Sequence, residues 1–128
     1  MRLSRNRFEA LVAEGVARIP KKFLDYLENV AVLVEDEPSK ETLRSVGITG
    51  PGETLYGLYE GVSHAAGGHY HRSLPDRIII YQRPIEENAE SEEEVREMVA
   101  DTVWHEIAHH LGMDEGEVRA AEHRRKVK

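Results

Sequence analysis

The chain has 128 residues, 17 Lys+Arg against 24 Asp+Glu for a formal charge of −7, and no cysteine. That length predicts one domain spanning 1–128. Without Cys there is no disulfide framework, thiolate nucleophile, Fe–S cluster or Cys-based zinc finger, so any metal must be held by His, Asp or Glu.

Positions 5–18 carry Phe8, Leu11, Val12 and Val16 at helical spacing, with Gly15 weakening the helix near its end. Pro20 suits the first position of a short second helix, with Phe23, Leu24 and Leu27 as its buried face. Residues 30–35 are apolar and β-branched, which predicts a buried strand. A helical element is expected over 39–46, capped by Ser39 and ended by Gly47. Pro51-Gly52 marks a turn, and 55–60 reads as a second strand. The stretch 61–74 holds three Gly, three His and little apolar content, and reads as a long connection of the kind that often carries function. Residues 76–83, with Ile78, Ile79, Ile80 and Tyr81, predict a third strand that Pro84 stops.

Ser91 and Glu94 have the spacing of a capping box, and Glu92, Glu93 and Glu94 put negative charge in the first turn of a long helix. That helix is expected to run to Leu111, with Gly112 ending it and a last helix over 115–126. The element order predicts an α+β fold, a small three- to four-stranded sheet packed on helices. No apolar run approaches the roughly 20 residues of a membrane span. The N-terminal segment lacks the apolar core of a secretory signal, so a cytoplasmic protein without a membrane partner is expected. The acidic balance argues against nucleic acid as a partner. The basic run Arg124-Arg125-Lys126 suits the C-terminal end of a helix.

The chemistry concentrates in Trp104-His105-Glu106-Ile107-Ala108-His109-His110, which contains H-E-x-x-H. Two His four apart on a helix lie one turn apart on the same side and can converge on one ion. Glu106 is turned about 100° away from His105 around the helix axis, so it can act as a general base on a water rather than as a ligand. Val99, Ala100, Val103, Trp104, Ile107, Ala108 and Leu111 make this helix apolar nearly all round, and His and Glu in such a setting need a partner or a ligand. The competing reading is two hydrogen-bonded core histidines with Glu106 in an ion pair.

A catalytic zinc usually has three protein ligands and one open position. The third is expected from the segment after Gly112. Asp114, with Glu117 three positions on, has the form of an N-cap, which leaves Glu115 as the favoured third ligand and Asp114 as the alternative. His110 is expected to support the ligands rather than to be one. His64, His69, Tyr70, His71 and Arg72 are candidates for holding substrate or a developing oxyanion, against the simpler reading of a solvated loop. Met113 reads as a packing residue.

At these residues the chain resembles the small bacterial zincin-like metallopeptidases, or minimal zincins, whose motif is H-E-x-x-H-x-x-G-x-x-D. His105, Glu106, His109 and Gly112 match it, and Glu115 stands at its last position, where the family more often has Asp. Leu58-Tyr59-Glu60-Gly61 and Leu74-Pro75-Asp76-Arg77-Ile78, followed by Tyr81 and Pro84, resemble two further blocks of the family. The resemblance implies a zincin-like α+β fold with a long active-site helix, one Zn²⁺ per chain and Glu106 as general base. A zinc-dependent peptidase acting on a peptide or protein substrate is the expected function, with an extended peptide added alongside strand 76–83. The alternative is a non-catalytic binding or regulatory module stabilised by zinc on the same scaffold.

Overall fold

A computed structural model describes residues 1–25, 30–61 and 76–110. The elements are α1 (Arg5–Val16), α2 (Lys21–Leu24), β1 (Val30–Glu35), α3 (Lys40–Ser45), β2 (Gly57–Glu60), β3 (Asp76–Tyr81), α4 (Gln82–Asn88) and α5 (Glu92–His110). The fold is α+β, a small mixed sheet against a helical layer dominated by α1 and α5.

β3, with its triple isoleucine, lies in the middle of the sheet, whose order is β1-β3-β2. β1 runs parallel to β3, from Val30 opposite Asp76 to Glu35 opposite Tyr81. β2 runs antiparallel, with Gly57 opposite Ile80 and Tyr59 opposite Ile78. Side chains alternate along a strand, so Ile78 and Ile80 join the helical core while Ile79 and Tyr81 are buried outside it. β3 is therefore not an edge available for peptide addition, as the sequence had suggested. Its backbone groups are committed on both sides, and β1 and β2 are the edges among the described residues.

α5 contributes Val95, Val99, Val103 and Ile107, one per turn, to the same core as Phe8, Leu11 and Val12 of α1. Burying each such side chain is worth about 1.5–3 kcal/mol. Gly15, read from the sequence as a weak point, is where α1 and α5 approach closely. An added Cβ would lie 2.7 Å from the Arg96 carbonyl oxygen and 3.0 Å from Val99 Cβ. On the outer side the two helices are tied by charge. Arg7 pairs with Glu92, Arg18 with Glu93 and Glu97, and Arg96 with Glu14 and Glu93. Ser91 Oγ accepts the Glu94 N–H at 3.1 Å, the expected N-terminal cap of α5.

Other expectations need revision. β1 is half-buried rather than buried, with Leu33 41% exposed, because as an edge strand it has a neighbour on one side only. β3 ends at Tyr81, and Pro84 lies in the first turn of α4, a helix that sequence reading does not anticipate. The first turn of a helix has unpaired N–H groups in any case, so Pro is tolerated there. Pro20 is the N-cap of α2, its carbonyl accepting from Phe23 and Leu24, rather than the first helical residue. Phe23 and Leu24 are half-buried, and Phe23 packs on Trp104 with ring centroids 4.2 Å apart. Ser39 caps α3 as expected, and Gly47 follows it at φ +83°, the left-handed conformation that favours glycine. Leu27, the connection 62–75 and everything from Leu111 onward, including Gly112 and the expected last helix, lie outside the described residues. No described helix is long and apolar enough to cross a membrane.

Candidate functional site

The C-terminal half of α5 presents His105, Glu106, His109 and His110 beside the outer edge of β2. The two elements run in step. Thr102 lies over Gly57, where an added Cβ would come within 2.6 Å of Thr102 Cγ2. Four residues on along α5, Glu106 meets Tyr59, two residues on along β2. Four helical residues rise about 6 Å and two strand residues advance about 6.6 Å, so the match holds over successive turns.

The antiparallel ladder decides what the edge offers. The Tyr81 N–H donates to the Tyr56 carbonyl at 2.9 Å, so the Tyr56/Tyr81 pair is hydrogen-bonded. Alternation then turns the N–H and C=O of Gly57 and Tyr59 away from β3. The outward Tyr59 N–H donates to Glu106 Oε1 at 2.7 Å. The carboxylate of the H-E-x-x-H glutamate is thus held by a main-chain donor of the edge strand.

The Tyr59 side chain makes two further contacts. Its ring stacks on His110, with centroids 4.1 Å apart and planes 16° from parallel. Its hydroxyl donates to Asp76 Oδ2 at 2.6 Å. Burial, with the Asp76 hydrogen bond and charge added, pushes the phenol pKa well above its ordinary value, so it stays a donor. His110 Nε2 lies 3.9 Å from the same Asp76 oxygen. His110 thus contacts Tyr59 and lies near the Asp76 carboxylate. Sequence reasoning assigns Tyr59 and Asp76 no individual role, although both fall in the two upstream blocks of family resemblance.

His105 and His109 are the pair that the H-E-x-x-H motif marks as candidate metal ligands. Their rings are 6.1 Å apart between centroids and inclined at 63°, on consecutive turns of one helix. His105 Nδ1 lies 2.9 Å from the Asp101 carbonyl oxygen, which can only accept. A hydrogen bond there has Nδ1–H as the donor, which is the kind of contact that orients an imidazole whose other nitrogen binds a metal. Among the described residues, no group of three His, Asp or Glu side chains is placed to hold a metal. The two carboxylates expected to complete the set, Glu115 and Asp114, lie outside the described residues, as do His64, His69, Tyr70 and His71.

Beside Glu106 and His105, a cavity of about 390 Å³ continues along the groove between residues 54–57 and the Met98–Thr102 turn of α5. A larger cavity, about 590 Å³, lies between α1 and β1 and includes none of the H-E-x-x-H residues.

A family model described as zincin-like metallopeptidase matches residues 27–125. Among solved structures, a conserved hypothetical protein from Thermo thermophilus superposes with a TM-score of 0.59 at 25% identity, covering 85% of this chain and 94% of that one. No curated protein matches.

Proposed function

Because the chain belongs to the zincin-like metallopeptidase family, we propose that it is a zinc-dependent peptidase with Glu106 as its general base. His105 and His109 hold the ion, and Glu115 is the third ligand, with Asp114 as its rival for that place. Zinc bound there supplies Lewis-acid polarisation of a peptide carbonyl and makes a water more acidic. Glu106 takes the proton of the attacking water on its carboxylate and delivers it to the departing amine nitrogen. The Tyr59 N–H keeps that carboxylate oriented at the strand edge, where an extended peptide would lie. His110, stacked on Tyr59, and Asp76, which accepts from its hydroxyl, hold the strand against the helix. The substrate is a peptide or protein segment, and the edge it meets is β2.

The observation that carries this reading is the 2.7 Å contact between Glu106 and the edge strand, next to two imidazoles one turn apart. The test joins metal analysis with turnover. Chelator-stripped and reconstituted wild type is expected to bind one Zn²⁺ per chain and to cleave a peptide mixture. His109→Ala is expected to lose the metal. Glu106→Gln is expected to keep it and to lose at least about 10²-fold in rate, the scale of general-base catalysis. Wild-type turnover by Glu106→Gln, or no metal bound by wild type, would overturn the proposal.

A further inference from the structure

We infer that the outer edge of β1, with the cavity between it and α1, is an interface for a second copy of this chain, whose β1 runs antiparallel to the first across a two-fold axis at Val32. The inference is independent of the peptidase reading.

The edge is open and unguarded among the described residues. The Tyr81 N–H donates to Tyr56, so Ile79 and Tyr81 turn their main-chain groups to β2, and Ile78 and Ile80 turn theirs to β1. Val32 is level with Ile78 and Val34 with Ile80, so the parallel ladder uses Ala31, Leu33 and Glu35 and leaves the N–H and C=O of Val30, Val32 and Val34 pointing outward. The Arg5 guanidinium, which donates to the Val34 carbonyl at 3.2 Å, agrees with that direction. Sheet edges are normally blunted by a charge, a proline or a bulge. β1 has none of these from Val30 to Val34, where every residue is apolar and the register is unbroken.

The face beside the edge is uncovered as well. α1 packs on α5 rather than over β1, and a cavity of about 590 Å³ separates Val12, Ala13 and Val16 from Val32 and Val34. An added strand sends alternate side chains to that same face. With Val32 of the two copies opposite each other, Val30 of one meets Val34 of the other. The valines of the second copy then enter the cavity of the first. Arg5 uses one lone pair of the Val34 carbonyl, which has another to accept with.

Charge selects the occupant. α1 runs opposite to β1, because Arg5 near its start reaches Val34 and Asp36 at the end of the strand. Glu9 and Glu35 line the cavity towards that end, and neither is in an ion pair among the described residues. Lys21 and Lys22 follow α1 and are exposed towards the end at which β1 begins. A two-fold axis reverses the second strand and sets the acidic end of each copy against the lysines of the other. Parallel addition would set like charge against like. The contact is isologous, so it consumes both β1 edges and closes. Two three-stranded sheets become one, with both β2 edges and the Glu106 beside each left at its outer ends.

Sedimentation velocity on the full chain tests this, over concentrations from about 1 μM to about 1 mM, the range of weak to moderate affinities. A reversible monomer–dimer equilibrium is expected, without larger species. Val32→Pro removes an outward N–H and leaves the β3 ladder intact, and with two such bonds lost per dimer it is expected to weaken association at least about ten-fold. Lys21→Glu with Lys22→Glu is expected to weaken it at least about ten-fold at low salt, and adding Glu9→Lys with Glu35→Lys is expected to restore it. All four charged positions are exposed, so these variants decide the matter if Val32→Pro does not fold. A monomer throughout the range overturns the inference, as does a dimer indifferent to the lysine changes or not restored by the compensating ones. Open-ended polymers would mean that β1 pairs with β2 instead, and overturn it too.

Discussion

The Tyr59 N–H and the Glu106 carboxylate meet at 2.7 Å across 47 residues of sequence. One hydrogen bond therefore joins the edge strand to the helix that carries H-E-x-x-H. Tyr59 then reaches past Glu106 to His110 and Asp76, so a single residue ties β2, β3 and α5 together at the candidate site.

Removing the Tyr59 hydroxyl leaves Asp76 with one donor fewer in a half-buried place. Tyr59→Phe is expected to cost about 1–2 kcal/mol in urea unfolding. Tyr59→Ala loses the His110 stack as well and is expected to cost roughly 2–4 kcal/mol. Equal costs for the two variants would show that the ring contributes nothing beyond its hydroxyl.

The same contacts bear on alkaline pH. Burial raises the pKa of both Tyr59 and Tyr81, with Asp76 adding to the first and Glu35 and Glu60 to the second. A folded pKa above the unfolded one stabilises below about pH 10, and that contribution is lost as pH rises through the folded value. An ultraviolet titration should show tyrosine ionising at higher pH in the folded protein than in the urea-unfolded chain, with stability falling above about pH 10. Five tyrosines titrating together near their ordinary value in folded protein would contradict this.

At acidic pH the sign reverses. Arg7 holds the Glu92 pKa below its ordinary value of 4.5, and Arg18 does the same for Glu93, with Arg96 contributing to both. Carboxylates with depressed folded pKa values stabilise above their unfolded pKa, and the contribution is lost as pH falls through the folded ones. Thermal melts taken from neutral pH downward should show a decline in the melting temperature beginning near 4.5 and continuing below it. Arg18→Ala should flatten part of that decline, and high salt should weaken it, since these pairs are solvent-exposed.

Gly15→Ala tests helix propensity against packing. Propensity alone would stabilise the helix by up to about 1 kcal/mol. The added methyl would meet the Arg96 carbonyl oxygen and Val99. Net destabilisation of about 1–3 kcal/mol is expected from overpacking. A rise in melting temperature would show that α1 and α5 separate easily.

The proposed third zinc ligand can be tested by substitution. Glu115→Ala is expected to weaken zinc binding at least about ten-fold more than Asp114→Ala, on the scale of losing a metal contact, measured by competition with a coloured chelator. The reverse order would move the ligand to Asp114.

Much of this is legible in the residues because it is local. H-E-x-x-H needs only helical spacing to put His105 and His109 on one side. Ser39, Ser91 and Gly47 act within one turn of their own positions, and the apolar period of α5 names its buried face. What tertiary structure decided is non-local. Periodicity cannot say which strand is central, so the three isoleucines of β3 read equally well as an edge, and sequence reading puts peptide addition on the wrong strand. A glycine in a helix reads as weakness until a second helix is seen against it, as Arg96 and Val99 are against Gly15. Pro84 reads as a strand stop until it is seen in the first turn of α4, with the strand already ended at Tyr81. The grip of Tyr59 on Glu106 depends on hydrogen-bond alternation between β2 and β3 and on the matched advance of β2 and α5. Both are relations between elements distant in sequence, and only packing brings them together.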